Sequence, residues 1–115
     1  MTRTVHIGVS STENVKARTK AAFKGKAQGE RISFASVDMM HRVLTPNRWG
    51  VLRALMGHDG MMSVRELARI LDRDVKGVHN DIVALALAGI IEHNADGSVA
   101  FPYDAVHVEF TVEAA

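Results

Sequence analysis

The stretch from Ser63 to Leu85 constrains the fold more than any other part of the chain. Ser63-Val64-Arg65-Glu66-Leu67-Ala68-Arg69-Ile70-Leu71 begins with a capping box, a serine followed three residues later by a glutamate. Asp72-Arg73-Asp74 then makes a tight polar turn, and Asp74 caps a further helix. In that helix Val75, Val78, Ile82 and Leu85 recur at i, i+3, i+7 and i+10, which predicts one buried stripe. Lys76, Gly77, His79 and Asn80 fall off the stripe on the first turns. The chain therefore places a polar helix start in front of an apolar helix body.

Two helices joined this way form the helix-turn-helix pattern, whose second helix enters the major groove of DNA by its N-terminal residues. The flanking segments extend the pattern. Thr45-Pro46 is a start signal, with threonine as cap and proline at the first helical position. It predicts a helix from Pro46 to about Gly57 with Trp49, Leu52, Leu55 and Met56 as its core stripe, broken by His58-Asp59-Gly60. Beyond Gly89, Ile91-Glu92-His93 and Ser98-Val99-Ala100-Phe101 flank Asn94-Ala95-Asp96-Gly97, whose Asp-Gly pair signals a hairpin ended by Pro102. Helix, helix, helix, hairpin is the order of a winged helix-turn-helix.

The two ends carry strands. Thr4 to Val9 alternates, with Val5, Ile7 and Val9 on one side. Ser10 and Glu13 offer another capping box, for a helix from about Thr12 to Gln28 whose end Gly25 and Gly29 weaken. Arg31 to Ser36 reads as a second strand with Ile32 and Phe34 inward; Ser36 reads equally as the cap of a helix from Val37 to Leu44. Val106, Val108, Phe110 and Val112 define a final strand. The expected fold is α+β: a winged helix-turn-helix over residues 37–115 with its C-terminal strand, preceded by a strand-helix extension over residues 1–36. Val5–Val9 and Val106–Val112 would be exposed apolar edges on an isolated winged helix, so they are expected to pair with each other or across a dimer.

At 115 residues and 47% hydrophobic content the chain supports one thin core. It has no cysteine, which removes disulfides and thiolate metal sites. The longest apolar run, Ile82 to Ile91, is too short to cross a membrane, and Met1-Thr2-Arg3 leads into no apolar leader, so a cytoplasmic protein is expected. Net charge is +1, and its distribution is uneven. Arg3, Lys16, Arg18, Lys20, Lys24, Lys26 and Arg31 crowd the start; from Glu92 onward there are acids but no lysine or arginine.

On the helix after Asp74, Asn80 can bond an adenine edge with both amide atoms, and Lys76 can reach guanine acceptors or phosphate. His79 suits either role, and Gly77 allows close backbone approach. Ser63 and Arg65 sit at a helix start that favours phosphate. Arg73 reads as a phosphate contact or as an ion pair with Asp72, Asp74 or Asp81; Asp81 reads as structural, holding Arg73 or Arg69. Lys16, Lys20 and Lys24 form one stripe without interleaved acids, read as a DNA-backbone contact, a solvated face or a surface for an acidic protein. The hairpin tip carries no cation, which argues against minor-groove reading there. The six histidines lack close ligand spacing and no catalytic motif is present, so neither a metal, a cofactor nor an enzyme is expected.

Leu44-Thr45-Pro46-Asn47-Arg48, Leu52, Leu55, Ser63-Val64-Arg65-Glu66-Leu67-Ala68, Arg73-Asp74, Val78, Asp81, Leu85 and Ala88-Gly89-Ile90-Ile91 resemble winged-helix regulators of the MarR/ArsR type. More narrowly they resemble DNA-binding proteins first recognised in haloarchaea and also found in bacteria. The resemblance covers roughly residues 44 to 110. It implies transcriptional control, often of a neighbouring small operon, and in some cases pairing with a toxin. Two functions follow as expectations: a dimeric, sequence-specific autorepressor that binds double-stranded DNA, or an antitoxin-like module that neutralises a partner protein encoded nearby.

Overall fold

The computed structural model describes residues 3–9, 31–58, 60–112 and 114. In chain order the elements are β1 (Thr4–Val9), β2 (Arg31–Phe34), α1 (Val37–Val43), α2 (Pro46–Leu55), α3 (Val64–Leu71), α4 (Val75–Leu87), β3 (Glu92–His93), β4 (Val99–Ala100) and β5 (Ala105–Glu109). The class is α+β. The expected helix over residues 12–28, with its capping box, lies outside the described residues.

Every described helix begins on a side-chain cap. The oxygens of Ser36, Thr45, Ser63 and Asp74 accept from the backbone N–H groups of Met39, Arg48, Glu66 and Gly77, each satisfying a donor that the first turn leaves unpaired. Both readings of residues 31–44 hold in sequence: β2 ends at Phe34 and Ser36 then caps α1. The second helix is shorter than expected. It ends at Leu55, Met56 is extended, and Gly57 adopts φ +73°.

The helices α2, α3 and α4 pack pairwise. Val51, Leu52 and Leu55 meet Leu67 and Ala68 and Val78, Ile82 and Leu85 in the core. Two expected stripes shift. Val75 is 46% exposed, because the first residue of α4 lies one turn beyond the part of the stripe that reaches the core. On α2, Trp49 and Met56 are only half-buried while Val51 is fully enclosed, so the buried face is rotated toward Val51.

The hairpin of β3 and β4 is antiparallel and shorter than its flanking apolar residues indicated. Met62, from the loop before α3, adds to its other side: Met62 N–H donates to the Val99 carbonyl at 2.9 Å and Val99 N–H to the Met62 carbonyl at 2.8 Å. Met62, Val99 and Phe101 are buried.

The second sheet is all parallel, in the order β2-β1-β5. Its register sets Val5 beside Val106, Ile7 between Ile32 and Val108, and Val9 beside Phe34. Neighbours in a parallel ladder share a face, so these residues form one apolar side; His6, flanked by Arg31 and His107, lies on the other. The two end strands therefore pair with each other within the chain, and the sheet spans the expected boundary at residue 36. Arg3 N–H donates to the Asp104 carboxylate at 2.9 Å, and the Arg3 guanidinium lies 5.0 Å from the Tyr103 ring centre. The last strand stops at Glu109 rather than Val112. Glu109 pairs with Gly8, Val9 pairs only with β2, and β1 offers no further partner. Among the described residues no helix is long and apolar enough to cross a membrane.

Ile7 occupies the middle of the central strand and is 1% exposed. Ile7→Ala is expected to cost about 3 kcal/mol, by lost transfer energy and a residual cavity. Urea unfolding checks this: the midpoint falls while the slope is unchanged.

Candidate nucleic-acid interface

Helix α4 is held by its first turn and its midpoint. At the start, the Asp74 carboxylate accepts from Gly77 N–H at 3.1 Å. A Cβ on Gly77 would stand 2.9 Å from Asp74 Oδ1 and 3.5 Å from Arg73 Nη2. The sequence suggested that Gly77 opens the backbone to a ligand; the geometry gives it a nearer purpose, which is room for the capping carboxylate and the arginine beside it. The turn before the helix closes with Asp72 in the left-handed region at φ 53°, its N–H donating to the carbonyl of Arg69.

At the midpoint Asp81 receives two arginines. Arg48 Nε donates to Asp81 Oδ1 at 3.1 Å, and Arg73 Nη2 stands 2.8 Å from Asp81 Oδ2. Asp81 is only 13% exposed and the arginines 22% and 25%. The Arg73 contact is an ion pair set off the line of a hydrogen bond, and Arg73 Nη1 and Asp81 Oδ2 are enclosed without a hydrogen-bond partner among the described residues. Arg48 also donates from Nη1 to the carbonyls of Arg42 and Val43, at 3.1 Å each. Those carbonyls belong to the last turn of α1, where the helix dipole favours a cation. Of the three acids named as partners for Arg73, the fold selects Asp81; Asp81 in turn takes Arg48 in place of Arg69. Arg73 reaches a phosphate only by sharing or leaving this pair.

The polar tips of α4 point away from the core. Lys76, His79 and Asn80 are exposed, and Lys76 and Asn80 make no hydrogen bond or ion pair with the described residues. The His79 ring meets the His93 ring of β3 edge-on, centroids 6.2 Å apart. This contact ties the start of α4 to the hairpin, and it went unforeseen because nothing local in the sequence couples residues 79 and 93. Arg65 is exposed on α3, and Ser63 is exposed with its hydroxyl spent on the cap of that helix. The structure thus brings Ser63, Arg65, Arg73, Lys76, Gly77, His79 and Asn80 to two adjoining helices and their turn. Lys16, Lys20 and Lys24 lie outside the described residues.

The hairpin tip is knit internally. Asp96 Oδ1 accepts from Ser98 Oγ at 2.6 Å and from Ser98 N–H at 2.9 Å, while Asn94 Nδ2 donates to Ser98 Oγ at 3.2 Å. The Ser98 hydroxyl and then its N–H hold the Asp96 carboxyl below the usual aspartate range. The tip therefore keeps a negative charge down to lower pH than a free aspartate. Among the described residues no group of three or more histidines, aspartates or glutamates is placed to hold a metal ion.

A family model, HVO_A0114, matches residues 43–108, from the end of α1 to within β5. No curated protein and no solved structure matches the chain.

The Asp81 cluster yields a stability test. Asp81→Ala leaves two half-buried guanidiniums facing each other and is expected to cost about 1–3 kcal/mol. In a double-mutant cycle with Arg48→Ala, denaturant unfolding should give a coupling of at least about 0.5 kcal/mol, whereas independent surface charges would add.

Proposed function

The chain belongs to the HVO_A0114 family, and from that premise and the geometry of α4 we propose that it is a winged helix-turn-helix regulator of transcription, of the MarR/ArsR-like kind, that reads DNA by sequence. In this reading α3 and α4 are the helix-turn-helix, α4 is the groove-entering helix, and the β3–β4 hairpin is the wing. The single observation that carries it is the pair Lys76 and Asn80, unpartnered among the described residues on the exposed first turns of α4, above a stripe fully enclosed at Val78, Ile82 and Leu85.

The chemistry suits base edges. An asparagine amide pairs with the N6 and N7 edge of adenine, and an ammonium reaches guanine O6 and N7 or a phosphate. Asp81 does not oppose phosphate as a bare carboxylate, because two guanidiniums pair with it. The wing makes no basic minor-groove contact: its tip offers Asn94 and Asp96, both engaged with Ser98. We further propose that it binds as a dimer on a palindromic operator, in the cytoplasm, and represses its own promoter.

A second reading, a module that neutralises a partner protein encoded nearby, draws on apolar rather than polar surface. Leu87 at the far end of α4 is 85% exposed and lines a groove with Phe34, Met39 and Val43. Leu87→Asp separates the two: it leaves operator affinity unchanged in the DNA reading and abolishes partner binding in the other.

Titration of operator and random DNA against salt tests the DNA reading. Asn80→Ala is expected to lose roughly 1–3 kcal/mol on the operator and to relax preference at one base pair. Lys76→Ala, if it meets phosphate, weakens both DNAs and lowers the salt slope by about 1. Replacing Lys16, Lys20 and Lys24 together by alanine lowers the slope further if that stripe tracks the backbone. Unchanged affinity and preference in the first two variants would sink the proposal.

A further inference from the structure

The three-stranded sheet has two edges, and they are built differently. β2 is four residues long, starts on the exposed Arg31, and turns at once toward the cap of α1. A short edge with a charged residue resists pairing with another chain. β5 is one residue longer, and its acid, Glu109, lies at its very end, 3.6 Å from His107. From Ala105 to Val112 it contains no lysine, arginine or proline, and among the described residues no strand covers its outer side. Val108 and Phe110 stay more than one-third exposed and line a groove with Met40, His41, Leu44 and Trp49.

We propose that this edge is a dimerisation seam: β5 pairs antiparallel with β5 of a second copy of this chain, in the register that sets Val108 opposite the partner subunit's Val108. The side chains select this register. One face then places Val106 against the partner's Phe110 and Val108 against the partner's Val108, an apolar row continuous with the apolar side of the sheet. The opposite face places His107 against the partner's Glu109, and the two-fold axis repeats that pair. A shift of one pair in one direction would oppose the two His107 rings, and in the other direction the two Glu109 carboxylates. Only the central register joins an imidazole N–H to a carboxylate at both positions. Within one chain the same two groups lie on one face, 3.6 Å apart, so the dimer would join four groups in an alternating ring. The result is a six-stranded sheet with both protected β2 edges outermost.

This inference does not depend on α4 meeting DNA, and its test uses the full chain without DNA. The chain has no cysteine, so a single introduced thiol reports register. Opposed antiparallel residues have Cα atoms about 4.5–5.5 Å apart, inside the roughly 4.4–6.8 Å that a disulfide spans. Val108→Cys should therefore form a covalent dimer on mild oxidation. Thr111→Cys, about 20 Å from its counterpart in this register, should not. Sedimentation equilibrium supplies an independent readout on two exposed residues. Glu109→Lys should weaken the dimer about tenfold, and His107→Glu combined with Glu109→Lys should restore it to within about threefold. A parent chain that stays monomeric at millimolar concentration overturns the proposal. So does cross-linking of Thr111→Cys as readily as Val108→Cys, or a dimer that Glu109→Lys leaves unchanged.

Discussion

The Asp81 carboxylate is the contact on which the orientation of the helical unit depends. The core beneath it is apolar, and apolar burial is non-directional. Val78, Ile82 and Leu85 fix which side of α4 faces inward, but a small rotation or slide would keep them buried. Asp81 removes that freedom. It is bound from one side by Arg48 of α2 and from the other by Arg73 of the turn, and Arg48 also holds the last carbonyls of α1. One acid thus couples α1, α2, the turn and α4. An exposed pair would contribute little; this cluster is mostly enclosed, and its value lies in direction as much as in energy. The azimuth of α4 decides where Lys76 and Asn80 point.

The same cluster explains a tension at the start of α4. Two guanidiniums share the Asp81 carboxylate, and among the described residues Arg73 Nη1 is enclosed without a hydrogen-bond partner. Leaving such a donor unmet costs about 1–3 kcal/mol. The arrangement persists because the turn is fixed elsewhere: by the cap of Asp74, by the left-handed Asp72, and by a glycine at 77 that makes room for both Asp74 and Arg73. Local backbone chemistry holds an unmet donor that side-chain rearrangement alone would relax.

Elements defined by neighbours in the chain were legible in the sequence. Thr45-Pro46, Ser63 and Asp74 cap the helices they were expected to cap, and Asn94 to Gly97 turns the hairpin. Caps and tight turns are satisfied within three or four residues, so their signals are local. What sequence reasoning missed is set across the fold. Alternation extends through Val112, yet β5 stops where β1 no longer runs beside it. Val75 continues the apolar stripe of α4, yet nothing lies under it. The need for a partner to Asp81 was readable; that Arg48, 33 positions away, supplies it was not. His79 against His93 is of the same kind. In each case the deciding neighbour comes from tertiary packing, to which residue order is blind.

The sheet shows how such distant neighbours become worthwhile. Arg3 bonds Asp104 across 101 positions, so joining the two ends closes nearly the whole chain. That closure costs less than its length implies, because loop entropy rises with the logarithm of length, by only about 0.6 kcal/mol per doubling. Against it stand the ladder of β1 with β5 and the burial of Val5 and Ile7, each at or below 1% exposure. Burying two such side chains contributes roughly 3–6 kcal/mol before ordering costs. β1 is consequently not a detachable arm of a helical domain. It is the middle strand, and stripping it away would uncover the inner edge of β5 and part of the common core. The basic stretch that follows it can be probed by substitution but not by truncation from the N-terminus, since any cut that removes those lysines also removes the strand on which the sheet is built.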